Sequence, residues 1–273
     1  MAVRILTYIN ILSIDVALGA VSGCAFFASV FGVQLRPHAY LGLGLIVWIV
    51  YTIDHLFDAA RSAHDPFSRR HQFHRRHASV LTAAVVLAAT ALTVEAFLVR
   101  KPVLFAGIGV ATLVIAYLWL QANLRFLKEI AGAMLYVSGI IAAPWSLLNR
   151  PLQLEEWLLI LLYLATAYVN LLLFSLFGHE GDLQDGHVST TTHLGPRIAG
   201  NLVRLVFGII LAGLGILATW GYFQLAAVLL LMNTGHGVIY LRPDFFRVDD
   251  RYRLVGDLVF LLPGLAILVG LTG

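Results

Sequence analysis

Asp54 and Asp58 stand four residues apart in Tyr51-Thr-Ile-Asp-His-Leu-Phe-Asp58, where a long apolar run meets a basic segment. Residues at i and i+4 share one face of a helix, so both carboxylates can address one cation or one substrate. Acids at the end of a lipid-embedded helix are costly unless compensated, which marks a functional site, and hard oxygen donors of this kind suit magnesium. A second acidic cluster, Gly178-His-Glu-Gly-Asp-Leu-Gln-Asp185, follows another apolar run and offers Glu180, Asp182 and Asp185. Between the two lies Arg69-Arg-His-Gln-Phe-His-Arg-Arg-His77, with histidines 71, 74 and 77 spaced by three. Carboxylates, a divalent cation and arginines at one membrane face are the parts of a metal-diphosphate site: the cation bridges carboxylate and phosphate oxygens, and guanidinium forks take the oxygens left over.

These groups need a scaffold, and the composition says what kind. The chain is 60% apolar and only 12% charged, with a mean hydropathy of +0.86, which excludes an ordinary soluble domain and indicates an integral membrane protein. Spans of roughly 20 residues fill nearly the whole length, leaving no room for a separate soluble domain. The spans expected run about 5–31, 39–57, 78–99, 103–120, 130–148, 157–177, 198–218, 223–241 and 254–271, a total of about nine by length and apolarity. The first is too long for a signal-peptide core and is read as a retained helix. The one cysteine, Cys24, rules out an internal disulfide.

The net charge of +3 is topological and gives no reason to expect nucleic acid. Loops after the even-numbered spans hold Arg61, Arg69, Arg70, Arg75, Arg76, Arg125, Lys128, Arg197 and the arginines of 242–253; the opposite loops hold only Arg36, Arg100, Lys101 and Arg150. The positive-inside rule then places the amino terminus and both acidic clusters in the cytoplasm. The short Arg100-Lys-Pro102 connection predicts that the third and fourth spans are antiparallel neighbours. The acidic clusters end the second and sixth spans, four apart. That spacing predicts one membrane domain of two pseudo-repeated four-helix halves, 1–128 and 129–241, with a ninth helix over 242–273 and the site at the interface of the halves.

With these residues in view, the chain resembles the UbiA superfamily of intramembrane prenyltransferases over most of its length. The family's first motif, N-D-x-x-D-x-x-x-D, is matched by Val50-Tyr51-Thr-Ile-Asp54-His-Leu-Phe-Asp58, which keeps two aspartates and loses the leading pair. The second, D-x-E-G-D-x-x-x-G-x-x-T/S, is matched by Gly178-His-Glu180-Gly-Asp182-Leu-Gln-Asp185-Gly186-His-Val-Ser189, followed by Leu194-Gly195, and lacks only the first acid. The resemblance implies a nine-helix, all-α fold and Mg²⁺-dependent transfer of a prenyl group from a prenyl diphosphate to a lipophilic acceptor. It also implies one Mg²⁺ at Asp54 and Asp58, a second at Asp182 with Glu180 or Asp185, and diphosphate contacts from Arg69, Arg70, Arg125 and Lys128. Gln121 stands where many members have a lysine. Tyr51, Tyr117 and Asn170 are expected in the cavity, the tyrosine rings being suited to an allylic cation.

Two other classes use the same residues. Changed chemistry on this fold, as in a terpene cyclase or a non-catalytic lipid binder, follows from the smaller acidic charge. A membrane oxygenase holding iron on clustered histidines is the other, although the chain contains no adjacent His-His pair. The simpler role for 69–77 is a basic juxtamembrane segment against anionic headgroups.

Overall fold

The structure is a computed structural model describing residues 2–61, 69–124 and 127–270. All regular structure among the described residues is helical. In chain order the helices are α1 (Ala2–Ile11), α2 (Ile14–Val30), α3 (Pro37–Arg61), α4 (Arg69–Arg76), α5 (Ala78–Ala96), α6 (Lys101–Leu124), α7 (Lys128–Ser146), α8 (Leu154–Phe177), α9 (His179–Asp185), α10 (Thr190–Leu194), α11 (Pro196–Thr219), α12 (Phe223–Leu241), α13 (Pro243–Arg247), α14 (Arg251–Leu258) and α15 (Leu262–Leu268).

The apolar runs become helices because only a helix satisfies its backbone internally in lipid. Among the described residues six are long and apolar enough to cross a bilayer, or seven if α1 and α2 are one span bent by 77°, where nine were expected. Two expected spans fall outside those criteria. α7 opens on the charged pair Lys128 and Glu129, and the stretch from α14 to α15 is interrupted by a 3-10 turn at Val259–Leu261. The first span is broken at Ser13, a buried residue held at φ 55, and its break carries α1 away from the axis of α2. Arg69 to Arg76, expected as loop, forms α4 instead, with Arg70 and His74 buried one turn apart.

α8 is the centre of the bundle. Within its apolar window 61% of residues are buried, against 6% for α5 and 0% for α6, so α8 answers to protein neighbours while α5 and α6 present their sides to lipid. α8 packs on α7, α11, α12 and α14. Phe27, Tyr163 and Phe260 meet edge to face at its heart, with centroids 5.3 and 5.9 Å apart. Gly23 permits that contact, since a Cβ there would lie 2.5 Å from the Tyr163 hydroxyl.

The expectation that the third and fourth spans are neighbours fails despite their short connection. α5 packs on α3 and α6 on α7, but α5 and α6 do not pack along their lengths. Space between the walls that carry them belongs to a cavity. At the end of α3 away from Asp54 and Asp58, His38 on α3 and Glu95 on α5 join at 2.8 Å.

Candidate active site

A cavity of about 550 Å³ runs from the acidic end of α3 into the bundle. Its apolar arm is walled by Ile46 and Val50 of α3, Leu92 of α5, and Val110, Val114 and Leu118 of α6. At the polar end α3 contributes Asp54 and Asp58 together, as the i, i+4 spacing requires. Asp182 of α9, Lys128 of α7 and Arg70 of α4 line the same end, as do Tyr51, Tyr117 and Asn170. Most of the residues singled out from sequence thus converge on one space.

Others do not. Arg69 is exposed and pairs with Asp249 at 2.9 Å. Glu180 is exposed on α9 and does not line the cavity. Asp185 does not line it either; its Oδ2 stands 4.0 Å from His71 Nδ1, while His71 Nε2 stands 4.0 Å from Asp58 Oδ2. The His71 ring therefore sits between the two acidic clusters. Burial first, then the charge of Arg253, pushes its imidazole down to about 3, so it meets these carboxylates as a neutral ring. Burial likewise lowers His74. Arg125 lies outside the described residues.

Motif residues that carry no charge have positions of their own. Gly186 ends α9 at φ 71, and Ser189 caps α10, accepting from Thr192 N–H at 3.4 Å. Thr190 then donates twice to Glu129 on α7, from its backbone N–H at 2.8 Å and its hydroxyl at 2.6 Å. Ser175 and Thr191 are joined at 2.8 Å between hydroxyls. The second motif is thereby fastened to both α7 and α8.

The inner wall of the polar end joins Arg70 and Asn170, both expected at the site, through partners that include Asp257. Arg70 donates to His55 Nε2 at 3.2 Å and to the side chain and carbonyl of Asn10 at 2.9 and 3.0 Å. Asn10 Nδ2 donates to Asp15 at 2.6 Å and to Asp257 at 3.1 Å, and Asn170 donates to Asp257 at 3.3 Å. All six side chains are buried. Two carboxylates and one guanidinium are thus taken from water as a hydrogen-bonded set, the condition under which buried charge is tolerated. Gly256 makes room for it, because a Cβ there would overlap Asn170 Oδ1. An acid inside an apolar stretch was the available signal for Asp257.

Among the described residues no three His, Cys, Asp or Glu side chains are grouped so as to hold a metal ion. His74 and His77 have their Nδ1 atoms 2.9 and 3.0 Å from the carbonyls of Arg70 and Phe73, one turn back along the chain.

No protein-family model matches the chain, and no curated protein sequence matches it. Solved structures do. The apo structure of a UbiA homolog from Aeropyrum pernix K1 is 14% identical and superposes with a TM-score of 0.69, covering 93% of this chain and 97% of that one. A UbiA homolog from Archaeoglobus fulgidus bound to GPP and Mg²⁺ is 15% identical, with a TM-score of 0.61 over 96% and 99% of the two chains. Digeranylgeranylglyceryl phosphate synthase gives 13% identity and a TM-score of 0.58 over 97% and 98%. The chain has the UbiA fold. Its helices superpose on those of these structures over 93 to 97% of the chain.

The donors at the polar end of the cavity decide whether it suits magnesium. Asp54 and Asp58 fit a cation that takes one or two carboxylates and completes its octahedron with water and substrate oxygens. The second cluster does not offer the same, since Glu180, Asp182 and Asp185 do not face one point.

Proposed function

We propose that the chain is a divergent UbiA-superfamily prenyltransferase that moves a prenyl group from a prenyl diphosphate to a lipophilic acceptor at a cytoplasm-facing intramembrane cavity. The observation that carries this reading is the meeting, in one cavity, of Asp54, Asp58 and Asp182 with an apolar arm walled by α3, α5 and α6. The Archaeoglobus homolog on this fold was solved with GPP and Mg²⁺. The polar end takes the diphosphate and the arm takes the hydrocarbon. The arginine excess of the even-numbered loops supports a cytoplasmic position for the polar end in a nine-helix topology.

Asp54 and Asp58 would hold magnesium, which would neutralise the diphosphate and make it a better leaving group. Arg70 and Lys128 add positive charge at the polar end, where charge grows on the departing diphosphate. Tyr51 and Tyr117 line the space beside it and offer ring faces to an allylic cation. The buried Arg70, Asn10 and Asp257 set fixes that wall before substrate arrives.

Calorimetric titration of GPP with and without Mg²⁺ on the purified protein, on Asp54→Asn and on Asp182→Asn is the test. Binding that Mg²⁺ strengthens and that each substitution weakens is expected. Metal-independent binding that both variants retain would overturn the proposal. Lipid binding without diphosphate release under any metal would instead assign a non-catalytic lipid binder.

A further inference from the structure

The position at which the second motif loses its leading acid is Gly178, the residue that closes α8. A Cβ placed there would lie 3.4 Å from Arg253 Nη2 and 3.4 Å from the Tyr252 hydroxyl. Where the resemblance puts a carboxylate for a cation, this chain therefore has a guanidinium from α14, beside a residue with no side chain.

Arg253 lines the cavity. Its Nε donates to the Tyr252 hydroxyl at 3.1 Å, and its guanidinium lies 5.4 Å from the ring centroids of both Phe174 and Tyr252. The two rings are themselves 5.8 Å apart, so they hold the guanidinium from one flank, and the contacts use one of five N–H donors. No ion pair ties Arg253 to a carboxylate among the described residues. The charges of Asp250, Asp182 and Asp257 act on the guanidinium from beyond ion-pair distance, and its free fork geometry matches phosphate oxygens. The acids of α9, for their part, do not converge. Asp182 lines the cavity, Asp185 faces His71, and Glu180 is exposed.

We propose that Arg253 takes the place of a second metal ion: its guanidinium binds the diphosphate directly, and a single divalent cation, at Asp54 and Asp58, completes the site. The inference rests on the prenyl-diphosphate reading and specifies how that reading is achieved. When the bond from the allylic carbon to the bridging oxygen breaks, its electron pair stays on the diphosphate, and Arg253 donates hydrogen bonds to the oxygens that gain the charge.

Two measurements test it, using GPP as probe and Mn²⁺ as a paramagnetic substitute for Mg²⁺. Electron paramagnetic resonance of the full chain with saturating GPP should count one bound Mn²⁺ per chain, a readout that needs no variant. Calorimetry should find GPP binding weakened roughly 10- to 100-fold in Arg253→Gln, both in EDTA and in Mg²⁺, with Arg253→Lys in between because it keeps the charge and loses the fork. Two Mn²⁺ per chain would overturn the proposal, as would an Arg253→Gln affinity within about twofold of the parent. GPP binding that ignores Arg253 removes this inference alone; no GPP binding by the parent under any metal removes the prenyl-diphosphate reading with it.

Discussion

Asp54 and Asp58 share one face of α3 and enter the cavity together, whereas the acids of α9 part company. The cause is geometric. At 3.6 residues per turn a spacing of four returns to nearly the same face, while Glu180 and Asp182, two apart, point to nearly opposite ones. α3 is also a long helix that the bilayer and α2 hold in place, but α9 is a single short one fastened through Ser189, Thr190 and Glu129. The comparison teaches that a count of acids near a membrane face is not a count of ligands. Spacing decides which of them work together.

The largest expected effect lies in the wall both clusters face. Asp257→Leu would leave Asn10 and Asn170 short of an acceptor and remove a negative charge that acts on Arg70, and should cost about 3 kcal/mol. A melting temperature in detergent unchanged from the parent would show that this wall does not support the site. Asp54→Asn combined with Asp58→Asn should weaken Mg²⁺-dependent GPP binding by roughly 100-fold or more, two charged ligands being lost at once. Asp182→Asn alone removes no ligand of that cation but a charge that acts on Arg253, and should weaken binding less, about tenfold; equal losses for the two clusters would erase the contrast between them. Glu180→Gln should leave affinity within about twofold, being a surface change, and a large loss there would mean that α9 turns its other face inward when substrate binds.

Much of this architecture was legible from the sequence. Apolar runs bounded by arginines, prolines and glycines located the long helices to within a few residues, and the i, i+4 pair on α3 declared its own geometry. Less visible was anything made by contacts distant along the chain. Asn10 and Asp257 bond across 247 positions, and no periodicity records such a pair. The bend at Ser13 and the left-handed Asp249 and Asp250 carry no glycine or proline to announce them. Arg253 was counted among the charges that set orientation, which hid its place in the site. The absent acid at Gly178 was noticed, but what filled the space required a structure. α4 escaped notice because a polar segment between spans reads as loop until two of its side chains, Arg70 and His74, are found buried.

The separation of α5 from α6 bears on traffic. Ala89 and Leu92 on one helix and Val110, Ala111 and Ile115 on the other wall the same cavity, and the two helices do not pack along their lengths. An occupant leaving on that side would step into acyl chains and diffuse in two dimensions, never crossing water. Its escape would then depend on the fluidity and thickness of the surrounding lipid as much as on the chemistry inside, so that the bilayer itself would act as the solvent of turnover.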